Sequence, residues 1–291
     1  MHSPSKRLKE LLDSPNFLLM PCCFDALSAR LIEQAGFPLT FMSGFAVSAA
    51  RLASPDAGLI SYGEMVSQGR DICSSVSIPV IGDGDTGYGN PANVKRTVLG
   101  YAQAGFAGIM IEDQHAPKRC GHTLGKEVVD RHEALQRLQA AVDARNEGAD
   151  ILIMARTDAR YTHGMEEALW RMQAFADMGV DILFLEAPRD EHEMTAFCEQ
   201  IPGPKLANML EEGLTPLMPP TRLEAMGYKI AAYPLTLLNT AIFAMQEALE
   251  DLKQGATPSR RVDFDTVQKI VGFPQYDDLM KGYAERYGPK E

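Results

Sequence analysis

Ile78-Pro79-Val80-Ile81 runs into Asp83-Gly84-Asp85-Thr86-Gly87-Tyr88-Gly89, so an apolar stretch is stopped by an acidic, glycine-rich turn. The pattern recurs further along, where Gly108-Ile109-Met110-Ile111 ends in Glu112-Asp113-Gln114. Short apolar runs halted in this way predict buried parallel strands. Asp83, Asp85 and Glu112 then sit at the carboxyl ends of neighbouring strands, where α/β barrels place their chemistry. Hard oxygen donors suit Mg²⁺ or Mn²⁺. Asp83 and Asp85 are two apart, so in extended chain they point the same way and need a cation near them. Asp113 is a candidate further donor.

Outward from this pair, strand and helix alternate eight times. Strands are predicted over residues 17–20, 39–42, up to Asp83, up to Glu112, and over 151–155, 182–185, 205–208 and 229–233. Helices are predicted over 26–35, 63–74, 91–104, 131–146, 165–178, 191–200, 220–226 and 236–253. Pro91 at the start and Gly105 at the end of one of them follow the usual asymmetry. The expectation is α/β: one domain over 1–291, a (β/α)8 TIM-type barrel over about 17–254 and a helical extension over about 258–291. The stretch from Asp113 to Val129 is long for a connection, which favours a functional loop.

The chain has 291 residues, a net charge of −11 and 45% apolar residues. That composition is globular. The acidic balance argues against nucleic acid, whose phosphates require excess Lys and Arg, but not against a small anionic substrate held by local cations. No apolar stretch is long enough for a membrane span, and the N-terminus lacks a signal-like apolar region. Five cysteines without metal-type spacing predict reduced thiols and a cytoplasmic setting.

The first polar residues past the strands are Ser43, Asp83, Asp85, Glu112, Arg156, Glu186 and Asn208. In a barrel they converge on one rim. Each alone has a plainer reading: an Asp after a strand is often a helix cap, and Arg156 could simply pair with Asp158 or Glu186. Cys120 lies in Lys118-Arg119-Cys120-Gly121-His122, a positive setting that tends to lower a thiol's pKa. Cys22, Cys23, Cys73 and Cys198 lie in or beside apolar segments and read as filler.

With these residues in view, the chain resembles the isocitrate lyase / phosphoenolpyruvate mutase superfamily. Asp83 to Gly89 matches its metal motif, and Lys118 to His122 matches the loop of its lyase branch, the 2,3-dimethylmalate lyase and methylisocitrate lyase-like enzymes. The likeness runs from about Leu18 to Leu252. It implies a barrel, Mg²⁺ dependence, and a homotetramer whose subunits swap their last helices. It implies that Asp85 binds metal directly and that Asp83 and Glu112 bind through water. Ser43, Gly44, Gly121, His122, Arg156 and Asn208 would hold substrate carboxylates. Glu186 would partner Arg156, Asp56 would be an active-site aspartate and Cys120 the general acid. The stretch from Leu206 to Pro216, with Thr215, resembles enzymes acting on 2-alkylmalates or oxaloacetate. The implied reaction is cleavage of a 2-hydroxy dicarboxylate, or a methylisocitrate-type tricarboxylate, to a 2-oxo acid and a carboxylic acid. Oxaloacetate hydrolysis or decarboxylation and phosphonomutase chemistry are the alternatives. Phe45 and Asn239 differ from a tricarboxylate site. Phe41 stands where many members carry a tyrosine, and it has no hydroxyl to act as a base.

Overall fold

The computed structural model describes residues 3–123 and 125–287. The chain divides into two compact units between Leu238 and Asn239, inside the helix Thr236–Lys253. Leu238 is the buried residue of that helix among the described residues.

The first unit holds eight strands: β1 Leu18–Cys23, β2 Thr40–Met42, β3 Val80–Asp83, β4 Gly108–Glu112, β5 Leu152–Thr157, β6 Ile182–Leu185, β7 Leu206–Asn208 and β8 Ile230–Tyr233. They pair in parallel in the order β6-β5-β4-β3-β2-β1-β8-β7. A parallel bridge between Leu183 and Lys205, with Leu183 N–H donating to the Pro204 carbonyl at 2.9 Å, joins β6 to β7 and closes the ring. This is the expected (β/α)8 barrel. The register sets Glu112 against Arg156 and Asp83 against Met110, which aligns the strand ends on one rim.

Residues alternate between two apolar layers, as strand geometry demands. Met20, Ile81, Met110, Met154, Ile182, Phe184, Leu206 and Ile230 belong to one cluster, inside the barrel. Ile109, Ile111, Ile153, Leu183 and Ala207 belong to the other, between strands and helices. The helix Pro4–Asp13, absent from the expected elements, adds Leu8 and Leu12 to the inner cluster. A Cβ on Gly108, the first residue of β4, would meet Leu8 at 3.1 Å. The helix therefore stops the amino end of the barrel, opposite the rim. Helices Gly44–Leu52 and Ala159–His163 were also not expected. β1 begins one residue later and ends three later than predicted.

In the second unit, helices Phe264–Val271 and Phe273–Tyr287 contain no buried residue. Asp263 caps the first of them, accepting from Thr266 N–H at 2.7 Å. No helix among the described residues is long and apolar enough to cross a membrane.

Candidate active site

Period-two alternation carries the inner face past the strand ends. Phe41 leads to Ser43, Ile81 to Asp83, Met110 to Glu112, Met154 to Arg156, Phe184 to Glu186, and Leu206 to Asn208, each two residues on. The residues expected at the rim are thus those whose parity points them inward. A cavity of about 70 Å³ opens there. Asp56, Asp83, Lys118, Cys120, Arg156, Glu186 and Asn208 form its polar wall, and Phe41, Phe45, Met110, Phe184, Leu206 and Leu235 its apolar wall.

Asp83 is engaged from all sides. Gly44 N–H donates to Oδ2 at 3.1 Å and Asp85 N–H to Oδ1 at 3.0 Å, while the Tyr101 hydroxyl donates to its main-chain oxygen at 2.7 Å. Gly44 is required for this approach, because a Cβ there would stand 2.5 Å from Oδ2. Ser43 caps the helix Gly44–Leu52 by accepting from Ala46 N–H at 3.3 Å. Asp85 has φ 48°, in the left-handed region, so the two aspartates do not point the same way as extended chain had predicted. Its backbone instead turns toward β4, where its carbonyl accepts from Glu112 N–H at 2.9 Å.

The Lys118 ammonium lies 2.6 Å from Asp56 Oδ1 and 2.9 Å from Asp85 Oδ1. Burial pushes the Asp85 carboxyl up to about 7 against the pull of Lys118. Burial also raises Glu112 well above the carboxylate range, opposed by Arg156. Glu112 Oε1 is buried without a hydrogen-bond partner. Among the described residues, no group of three or more His, Cys, Asp or Glu side chains could hold a metal ion on its own. A cation that keeps several waters needs only one or two carboxylates. The buried hard donors at Asp85 and the unpartnered Glu112 oxygen fit such an ion. Asp113 is not a donor here. Its carboxylate accepts from Asp158 N–H at 2.9 Å and pairs with Arg171 at 3.0 Å, which ties β4 to β5.

Arg156 is held by three acids: Nε is 2.8 Å from Asp158 and 3.2 Å from Glu112, and Nη2 is 3.1 Å from Glu186. The plainer reading of Arg156 is therefore also true, since it pairs with both Asp158 and Glu186. Burial would raise Glu186, but the charge of Arg156 and the hydrogen bond from His122 hold it below the usual carboxylate range. Leu214 N–H donates to His122 Nδ1 at 3.0 Å, so Nε2 carries the proton and donates to Glu186 Oε1 at 3.1 Å. Asn208 Nδ2 lies 3.3 Å from Glu186 Oε2. Gly121 threads between these groups, and a Cβ there would be 2.6 Å from Glu186 Oε2. Sequence reasoning missed Lys126. Buried, it bridges Asp158 Oδ1 at 3.0 Å and the Gly121 carbonyl. Its place five residues before the next helix, Arg131–Asn146, carries no motif.

Cys120 is half-buried, and its setting differs from the expectation. Burial raises the thiol above its ordinary 9.0, Asp56 and Glu186 add to the rise, and the His122 backbone N–H opposes it. Lys118 is turned to the aspartates and Arg119 is exposed, so neither lowers the thiol. Thr215 is buried with Oγ1 unpartnered and does not line the cavity, so it is not brought together with the predicted carboxylate binders.

The model of the family described as phosphoenolpyruvate phosphomutase matches residues 8–253. The chain belongs to that family. A 2,3-dimethylmalate lyase from Eubacterium barkeri is 43% identical over 274 residues, 94% of this chain and 93% of that protein. A crystal structure of 2,3-dimethylmalate lyase superposes with a TM-score of 0.91 at 36% identity, covering 99% and 97% of the two chains. Oxaloacetate acetylhydrolase with 3,3-difluorooxalacetate gives 0.92 at 33% identity, covering 99% of each. Phosphonopyruvate hydrolase, in complex with oxalate and Mg²⁺, gives 0.84 at 29%, covering 98% and 99%.

Proposed function

We propose that this chain is a Mg²⁺-dependent carbon–carbon lyase. It cleaves a 2-hydroxy dicarboxylate of the 2-alkylmalate class, 2,3-dimethylmalate foremost, to a 2-oxo acid and a carboxylic acid. The observation that carries the reading is Cys120: a thiol kept protonated by burial, on a loop over a cavity lined by Arg156 and Asn208. The 43% identity to a 2,3-dimethylmalate lyase supports the substrate class.

Asp85 would hold the cation directly, with Asp83 and Glu112 acting through water, and Mn²⁺ would substitute. When bound, the cation would polarise the substrate's hydroxyl and adjacent carboxylate. Arg156, Asn208 and the Gly121–His122 segment, backed by Ser43 and Gly44, bind and orient the carboxylates. Asp56, which lines the cavity, takes the proton from the oxygen of the C2 hydroxyl, and the C2–C3 bond breaks. C2 becomes the ketone of the 2-oxo acid, and the electron pair left on C3 takes the Cys120 proton. Glu186 keeps Arg156 and His122 in place. Phe41 lines the cavity and cannot act as the base.

A panel of 2,3-dimethylmalate, other 2-alkylmalates, methylisocitrate and oxaloacetate, assayed for 2-oxo acid release with Mg²⁺, tests this reading. Cleavage of 2,3-dimethylmalate is expected to be fastest. Release of oxalate and acetate from oxaloacetate, with 2-alkylmalates untouched, would sink it in favour of oxaloacetate hydrolysis, the second reading, supported by the superposition on oxaloacetate acetylhydrolase.

The assembly belongs to the same reading: a homotetramer whose subunits exchange their C-terminal helices. Phe243, Leu249, Phe264 and Leu279 are more than half exposed in one chain, which supports a second copy covering them. All five cysteines are free thiols, which suits a reducing, cytoplasmic setting.

A further inference from the structure

Lys118 opens the tip of the long loop, yet its side chain is only 5% exposed. Its ammonium touches Asp56 Oδ1 and Asp85 Oδ1, two buried oxygens that have no well-directed hydrogen bond. Lysine meets such oxygens as a compact point charge. The contact is built from both sides. At Gly58, φ 70°, a Cβ would come within 3.0 Å of Pro117 Cβ and 3.3 Å of Lys118 N, so the loop packs directly onto the turn that follows Asp56. Asp56, Asp83 and Lys118 line the cavity, whereas Asp85 and Glu112 do not. The ammonium thus stands on the carboxylate that would hold the divalent ion. An ammonium and a divalent ion on one buried carboxylate repel each other strongly.

We propose that Lys118 is the resident counter-cation of the metal site. Its ammonium neutralises Asp85 in the metal-free enzyme and leaves it when a divalent cation binds, so metal entry and release of the Lys118 side chain are one event. This rests on Asp85 being the direct ligand. Lys118 then keeps a single anchor, Asp56. The loop that carries Cys120 is held less firmly on the rim until substrate carboxylates engage Gly121 and His122. The order metal first, substrate second, loop closure last follows from the same contacts.

The test is calorimetric titration of the whole enzyme with Mn²⁺ at fixed pH, without substrate. Removing one partner of a buried ion pair leaves a charge that an incoming cation relieves, so K118M should bind Mn²⁺ about tenfold or more tighter than wild type. K118R keeps the competing charge and should bind close to wild type. Equal affinity in K118M and wild type, with binding lost in D85A, overturns the exchange and leaves the metal site standing. Wild-type affinity in D85A overturns both. Should K118M fail to fold, reductive methylation of the wild-type enzyme, read by peptide mass spectrometry, decides instead. Lys118 should be modified faster with Mn²⁺ than without it, and an equal or slower rate overturns the proposal.

Discussion

Around Cys120 the sequence places two cations and an imidazole within two residues, which predicts a lowered thiol. Distance along the chain does not say where a long side chain ends. Lys118 reaches away to Asp56 and Asp85, and burial then decides the shift. A raised thiol is a proton donor at neutral pH, which suits an acid better than a nucleophile. Cys120→Ser keeps size and hydrogen bonding but removes the acid. The expected loss is ~10²–10⁴-fold, in kcat more than in KM. The acid must be protonated, so activity falls as pH rises through its pKa. Because that pKa lies above 9.0, wild-type kcat should hold below 9.0 and the Cys120 limb should lie above it. A falling limb centred below 9.0 that vanishes in Cys120→Ser would show a depressed thiol and refute the assignment. Asp85→Ala should abolish Mg²⁺-dependent turnover, whereas wild-type activity that survives EDTA would count against any metal at this rim.

Element by element, legibility followed how local the determinant is. Strands and the helices that face them were readable because apolar period and Gly or Pro punctuation lie within ten residues. The rim residues were readable because alternation fixes which residue past the strand end points inward. The helix Pro4–Asp13 was not, because Leu8 and Leu12 stand among Lys, Arg and Glu and acquire a purpose only against a barrel assembled from distant sequence. Leu8 is fully buried, so Leu8→Ala should cost ~2–5 kcal/mol, read as a lowered Tm. The helix lies at the end of the barrel away from the rim, so kcat of the folded variant should be unchanged. A large fall in kcat at full stability would place the helix in the site instead. The Asp113–Val129 loop was readable as functional from its length, but not its latch. Its base is a short ribbon, with Gln114 bridged to Val128, and Lys126 ties the tip to Asp158. Lys126→Met frees the Gly121 carbonyl and leaves Asp158 to Arg156 alone. Displacing a positioned catalytic group by about 1 Å can cost ~10²-fold, so kcat should fall by that order. Wild-type kcat in Lys126→Met would show that the loop closes without the latch.

At the scale of the whole molecule, the sequence already carried a surplus of apolar surface toward its end. Leu, Ile, Phe and Met on more than one face of the helix Thr236–Lys253 exceed what a single barrel surface requires. The structure gives that surplus its measure: Phe264 is 74% exposed, Leu249 65% and Phe243 57% in one chain. Sequence could not place the division at Leu238, because helical periodicity continues unbroken through it and only the loss of burial marks the point. Lone apolar residues on a surface need no explanation, but a unit whose two final helices bury nothing does. The expectation is a tetramer by light scattering at micromolar concentration. Replacing Phe264 and Leu279 with Asp puts charge into a covered apolar face, and each should shift the protein toward smaller species while the Met20 and Ile81 core of the barrel stays folded by circular dichroism. If helices are exchanged between subunits, the tetramer should also dissociate and unfold in one transition, since helices Phe264–Val271 and Phe273–Tyr287 bury no residue in a single chain. A monomeric mass for the wild type, with no exposed-surface dye binding, would mean that these helices cover themselves, and the exchange would fall with it.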